Sequence, residues 1–246
     1  MTREDPVRVA MWSGPRNIST AMMRSWENRP DTVVVDEPLY AAYLARTGLD
    51  HPGREAVIAS QPTDLDEAIA ALTAPVPDGI GVHYVKHMTH HLDRTRSPDW
   101  TTSARNVLLI RDPAEVVASY VKSREACEPD DIGLLQQAWL MAHWDGIGLE
   151  VPVIDAGDFL RDPEGHLRWL CAWLGISFTD RMLSWPTGLR DSDGVWAPHW
   201  YDAVAASTGF APWRPRDTSS LSAHDAAVAQ SCRGAYDALH ERRVRL

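Results

Sequence analysis

Five short β-prone runs separated by helix-like stretches predict an α/β fold: a single domain with a central parallel sheet flanked by helices and a loop-rich C-terminal cap. Three observations carry that reading. The runs at 32–36 and 106–110 are continuously apolar or β-branched, as in strands buried on both faces, rather than alternating. Stretches with helical spacing lie between most successive runs, which is the pattern of βαβ units. After Gly175 the composition changes, and residues 176–220 are rich in Trp, Pro, Gly, Asp and Ser.

The elements follow in order. Residues 7–11 form a first strand that ends in Trp12-Ser-Gly-Pro-Arg-Asn17. Residues 18–28 form a helix with Ile18, Ala21, Met22 and Ser25 on one face, broken by Pro30 and Asp31. Residues 32–36 are the second strand, and 39–46 are helical. After a loop, Asp64 starts a helix bearing Leu65, Ile69 and Leu72. Residues 81–86 and 106–110 are the third and fourth strands. Pro113 suits a first helical turn, and that helix is expected to run to about Arg124. A longer helix covers about 132–146, a fifth strand 151–155, a helix 163–174 and a closing helix 222–243. The core therefore spans about 7–175 and the cap with its closing helix about 176–246, with residues 1–246 read as one domain.

Composition narrows the function. Of 246 residues, 44% are hydrophobic and 24% charged, proportions of a globular chain. The formal net charge is −10, which argues against nucleic acid or an anionic membrane as partner. A small anionic ligand held by a few cations remains compatible. All basic residues except Lys86 and Lys122 are Arg. Cys127, Cys171 and Cys232 are widely spaced and fit reduced thiols rather than a disulfide or metal framework. With a polar N-terminus and no apolar run near the roughly 18 residues of a membrane span, the expected location is cytoplasmic.

Two segments carry chemistry. The first strand leads through Ser13-Gly-Pro-Arg-Asn-Ile-Ser-Thr20 into a helix. The unpaired N–H groups at a helix start attract anions. Gly14 and Pro15 shape the turn, Arg16 is a permanent cation, and Ser19 and Thr20 offer hydroxyls. The GxxxxGK[ST] pattern is absent, so this is not a Walker A loop. By itself the segment fits an ordinary strand–helix turn equally well. The second segment, Leu108-Leu-Ile-Arg111-Asp-Pro-Ala-Glu-Val-Val-Ala-Ser119, puts Arg111 at the end of a buried strand and Ser119 two turns into the next helix. Ligands of open α/β sheets lie beyond those strand ends, where Arg can grip a phosphate bidentately.

Together the two segments resemble the sulfotransferases that use 3′-phosphoadenosine-5′-phosphosulfate (PAPS). Residues 13–20 are similar to that family's 5′-phosphosulfate loop, P-[KR]-S-G-T-T. Arg16 falls on its basic position, Ser19 and Thr20 on its hydroxyl pair, and Asn17-Ile18 replaces the usual Ser-Gly. The segment around Arg111 and Ser119 is similar to its 3′-phosphate motif, R-[DN]-P-x(5)-S. The resemblance covers about residues 7–175. It implies a P-loop-NTPase-like sulfotransferase fold, PAPS as sulfuryl donor, 3′-phosphoadenosine-5′-phosphate (PAP) as product, no metal, and a small-molecule acceptor. The nucleotide-binding set it implies is Gly14, Pro15, Arg16, Asn17, Ile18, Ser19, Thr20, Arg111 and Ser119. The family's Gly-rich C-terminal segment with a basic residue has no match; residues 192–201 occupy that region, with Trp196 as a candidate cover for the adenine and no Lys or Arg.

Arg16 is the expected stabiliser of the leaving phosphate. Glu37, at the end of the second strand, is the first candidate for general base. His90, in Lys86-His-Met-Thr-His-His-Leu92, is the second. Cytosolic members of the family carry K-T-H in that region; Lys86 aligns with the Lys, whereas Met88 stands at the His. The expected reaction moves a sulfuryl group to a hydroxyl, with an amine second. The alternatives are a silent nucleotide-binding relative, a kinase on a related scaffold, and a hydrolase with an anion site.

Overall fold

The computed structural model describes residues 5–122 and 127–246. Strands β1 (Val7–Ser13), β2 (Thr32–Asp36), β3 (Val82–Met88), β4 (Arg105–Ile110) and β5 (Val153–Asp155) form one sheet in the order β2-β3-β1-β4-β5. Every neighbouring pair is parallel. The chain crosses from β1 outward to β2, then returns past β1 to β4. The carboxyl end of β1 is therefore a topological switch point, where such sheets bind ligands.

Alternating side chains of the central strands feed two cores. Trp12, Leu108 and Ile110 pack on one face with Leu140, Trp144 and Leu239. Met11, Tyr84 and Leu109 pack on the other with Trp26, Phe159 and Leu170. Two of the buried indoles have their polar edges satisfied: Trp12 Nε1 donates to Asn106 Oδ1 at 2.8 Å, and Trp144 Nε1 to Thr101 Oγ1 at 2.9 Å.

Helix α1 (Ser19–Glu27) joins β1 to β2, and α2 (Tyr40–Thr47), α3 (Arg54–Ser60) and α4 (Leu65–Leu72) lie between β2 and β3. Helix α3 lies in the stretch read as loop; only its Val57 is buried, so it shows too little apolar periodicity to be seen in the sequence. Helix α5 (Pro113–Tyr120) begins with the Asp112 carboxylate accepting from the N–H of Ala114 and Glu115. Arg124, the expected end of that helix, lies outside the described residues.

The helix expected over 132–146 is two helices, α6 (Pro129–Ile132) and α7 (Leu134–Gly146), broken at Gly133 with φ +80°. The break lets the chain pass against the β1 loop. A Cβ on Gly14 would overlap the Ile132 carbonyl oxygen, and one on Gly133 would overlap the Thr89 hydroxyl. Strand β5 is shorter than expected, and α8 (Ala156–Arg161), not foreseen, follows it directly, started by Asp155 accepting from the N–H of Gly157 and Asp158. Helix α9 (Pro163–Leu174) ends at Gly175, φ +72°, as the sequence predicts.

The cap holds only short helices, α10 (Ala197–Trp200) and α11 (Asp202–Ala205), before α12 (Ala223–Glu241) returns to the core. A third apolar cluster joins the cap to α2 and α3 through Tyr40, Leu44, Val57, Trp196 and Tyr201. Among the described residues no helix is long and apolar enough to cross a membrane.

The Gly14–Ile132 approach gives a direct test. Gly14→Ala should lower stability by about 1–3 kcal/mol through overpacking against backbone, read as a lower denaturant midpoint with an unchanged slope.

Candidate functional site

The β1–α1 loop stands at the switch point. Its path is held by side chains reaching from neighbouring elements: Gln137 Nε2 donates to the carbonyls of Trp12 and Leu109, at 2.9 and 3.0 Å, and Asn17 Nδ2 to Leu109 O at 3.1 Å. Thr89 Oγ1 donates to Ser13 O at 3.2 Å and to Gly133 O at 3.0 Å. Helix α1 begins with no side-chain cap and no acidic residue in its first turn. Its first turn, Ser19 to Ala21, lines the cavity, and no acidic side chain of that turn opposes its positive dipole end.

Three arginines converge there. Arg16 Nε donates to Ser119 Oγ at 3.1 Å, joining the two segments picked out in the sequence. Arg111 donates through Nε and Nη2 to Glu115 Oε2, at 2.9 and 2.8 Å, and through Nη1 to Arg16 O at 3.4 Å. Arg216, from the cap, faces both. Partial desolvation and then the Arg111 charge lower the Arg16 pKa; partial desolvation, then Arg111, lower that of Arg216, against the opposing pull of Glu115 and with Arg16 adding to the effect, while both side chains still reach solvent. Like charges pressed together beside an uncapped helix start form a site for a multiply charged anion.

The other end is built on β2 and β3. Register pairs Asp36 with Lys86, and the buried Lys86 ammonium donates to Asp36 Oδ1 (2.8 Å), Glu37 Oε1 (2.6 Å) and the Tyr201 hydroxyl (2.5 Å). All three of its donors are used. Tyr201 in turn donates to Asp36 Oδ2 at 2.7 Å and accepts from Trp196 Nε1 at 3.1 Å. Gly194 N donates to the same carboxylate at 3.1 Å. Burial opposes the Lys86 charge, but Asp36 and Glu37 outweigh it and hold its pKa well above the ordinary value.

Glu37 is buried at 8% exposure. Burial raises its pKa, against the opposing pull of Lys86 and with help from Asp36. Oε1 is taken by Lys86, whereas Oε2 stands 4.0 Å from His91 Nε2. Burial, followed by the neighbouring His90, pushes the His91 pKa well below its usual value, so the ring is neutral at pH 7. Glu37 and Arg16 are the non-glycine residues with positive φ among those described, at 41° and 54°. Strain of this kind persists where the surroundings over-determine the backbone, commonly at ligand sites. Here Glu37 N donates to Lys86 O and Gln61 Nε2 to Glu37 O.

One cavity of about 570 Å³ joins the two ends, with Arg16, Ser19, Thr20, Arg111 and Ser119 on one side and Glu37 and His90 on the other. Pro15, Asn17, Ile18 and Lys86 also line it, whereas Gly14 is buried behind it against α6.

The family model described as a sulfotransferase domain matches residues 7–242. The chain belongs to the sulfotransferase family. It is similar in structure to the sulfotransferase domain from the curacin biosynthetic pathway, at 16% identity and TM-score 0.56, with 94% of this chain and 98% of that one covered. The sulfotransferase from Alicyclobacillus acidocaldarius gives 16% identity and TM-score 0.54, with 98% of each chain covered. These likenesses show the fold. In sequence it is 35% identical over 225 residues to branched-chain-amino-acid aminotransferase-like protein 1 of Arabidopsis thaliana, covering 90% of this chain. Protein 2 of the same name and organism is 31% identical over 232 residues. The chain spans about 40% of the length of these curated relatives.

Within this sulfotransferase fold, the expected role of Trp196 changes. The indole is buried at 1% exposure in the α2–cap cluster and supports Tyr201, so it is not a lid over a nucleotide. The basic residues that the cap brings to the cavity are instead Arg214 and Arg216, in Trp213-Arg-Pro-Arg216. Two Arg flanking Pro in a loop were the available signal. Tyr201 and Asp36 were also missed, since a lone Tyr in a Trp-rich segment and an Asp ending a strand read as packing and capping.

Removing the ammonium would leave buried carboxylates without compensation. Lys86→Met should therefore cost about 3–5 kcal/mol of stability, measured by equilibrium denaturation.

Proposed function

We propose that the protein transfers the sulfuryl group of PAPS to a hydroxyl of a small-molecule acceptor, releasing PAP. The observation that carries the reading is the convergence of Arg16, Arg111 and Arg216 with the uncapped start of α1 at one end of a cavity whose other end holds Glu37. Such a cluster fits a ligand with phosphate groups at two positions. Arg111 and Ser119 suit the 3′-phosphate; Arg16, Ser19, Thr20 and the α1 N–H groups suit the 5′-phosphosulfate. PAPS supplies the sulfuryl group and its leaving phosphate.

The chain's own part is orientation, charge neutralisation and removal of one proton. Arg16 meets the negative charge that grows on the bridging oxygen as the sulfur–oxygen bond to phosphate breaks. Glu37 Oε2 takes the proton of the acceptor hydroxyl as the new sulfur–oxygen bond forms. Lys86 fixes the Glu37 carboxylate through Oε1 and leaves Oε2 for that role. His90, on the same wall, is the alternative base; the direct Lys86 anchor and raised pKa favour Glu37.

Thermal denaturation separates the readings. PAP should raise Tm well above the shift given by ATP, and Arg111→Ala should weaken PAP binding by about 1.5–3 kcal/mol. Equal stabilisation by ATP and PAP would favour a kinase and overturn the assignment of Arg111 and Ser119.

Turnover tests the base. Glu37→Gln should abolish transfer of labelled sulfate from PAPS while retaining PAP binding; sustained activity with loss in His90→Ala would move the role to His90. Because Glu37 must be ionised to accept a proton and its pKa is raised, kcat/KM should fall with decreasing pH through a midpoint above the ordinary carboxylate value of about 4.3.

A further inference from the structure

We infer that the acceptor end of the cavity is a charge filter: it admits hydroxylated molecules that carry no negative charge on the part entering it, and turns away carboxylate- or phosphate-bearing ones. The inference rests on the proposed division into a donor end and an acceptor end.

The sheet order makes that division. Among the described residues, the cations lining the cavity are Arg16, Lys86, Arg111, Arg214 and Arg216. Arg16 and Arg111 follow β1 and β4. Arg216 faces them, and Arg214 stands between it and Trp213, whose ring lies 3.9 Å from the Arg161 guanidinium on α8, beyond β5. All four arginines thus lie on the β1–β4–β5 side.

Of these cavity-lining cations among the described residues, Lys86 alone lies on the β2–β3 side, and its charge is spent. Two carboxylates and the Tyr201 hydroxyl take its three donors, and the Asp36–Glu37–Lys86 group has formal charges of −1, −1 and +1 when both acids are ionised. Its excess is negative. Aromatic rings make up much of the rest of this wall, beside Met88 at the end of β3. Tyr40 stacks on His91 with ring centroids 4.5 Å apart, and the Tyr40 hydroxyl bonds His51 Nδ1 at 2.7 Å. Trp200 and Tyr201 continue the lining from the cap. An acceptor anion placed there would face Glu37 with no unengaged arginine or lysine at hand, and like charges in a half-dry pocket repel strongly. A ring or apolar body would instead be met by aromatic faces.

The test compares three phenols of one shape: 4-ethylphenol, 3-(4-hydroxyphenyl)propionate and tyramine. Equilibrium dialysis with radiolabelled phenols, with and without saturating PAP, should show 4-ethylphenol and tyramine binding at least about tenfold more tightly than the propionate. His51→Arg, which adds a cation to this wall, should narrow or reverse that ratio while the enzyme still binds PAP. Equal or tighter binding of the propionate by the unaltered protein overturns the inference, as does binding of none of the three. Failure of PAP to bind tells against the donor reading instead, because the phenol ratio is read without nucleotide as well.

Discussion

A single buried ammonium ties the molecule together. Lys86 joins the rim of β2, the carboxylate proposed as base, and the cap through Asp36, Glu37 and Tyr201. A lone buried charge would cost several kcal/mol, and this one persists because every donor has an acceptor. The same contacts place Tyr201 over the cavity and leave one Glu37 oxygen facing it. The cap is anchored nearby by a second charged group: Arg24 donates to Asp193 at 2.5 Å, Arg190 to Glu27 at 2.9 Å, and Ser192 also to Glu27. Residues 190–201 are thus held against α1 and β2 by electrostatics as much as by packing.

The arginine end of the cavity uses the opposite design. Its arginines are only partly compensated, with Glu115 taking two Arg111 donors and Ser119 meeting Arg16. Partial compensation holds the guanidinium groups in place without cancelling the field of three cations. The positive φ at Arg16 and Glu37 belongs to the same economy of position, since both residues line the cavity with backbones that L residues seldom adopt.

Much of this was legible in the sequence because it rests on local pattern. The run Thr32-Val-Val-Val-Asp36 and the sequence Leu108-Leu-Ile-Arg-Asp-Pro113 announce a strand end and a capped helix start without tertiary information. Glu37 could be placed on the rim because it follows a strand. The break at Gly133 was not legible, since it answers to Gly14, a residue far away in the chain that approaches only in the fold. Nor were Tyr201 and Arg216, whose neighbours come from β2, β3 and the β1 loop. Trp196 was only one candidate cover for a related reason: an indole in a loop reads equally as lid or as core, and only the cluster with Tyr40 and Tyr201 decides.

The structure of the complex with PAP tests the central claim most directly. The account predicts the 3′-phosphate against Arg111 and Ser119 and the 5′-phosphate at the start of α1 beside Arg16, with its free oxygen turned toward Glu37. A nucleotide bound outside the 570 Å³ cavity, or with its 5′-phosphate turned away from Glu37, would contradict it.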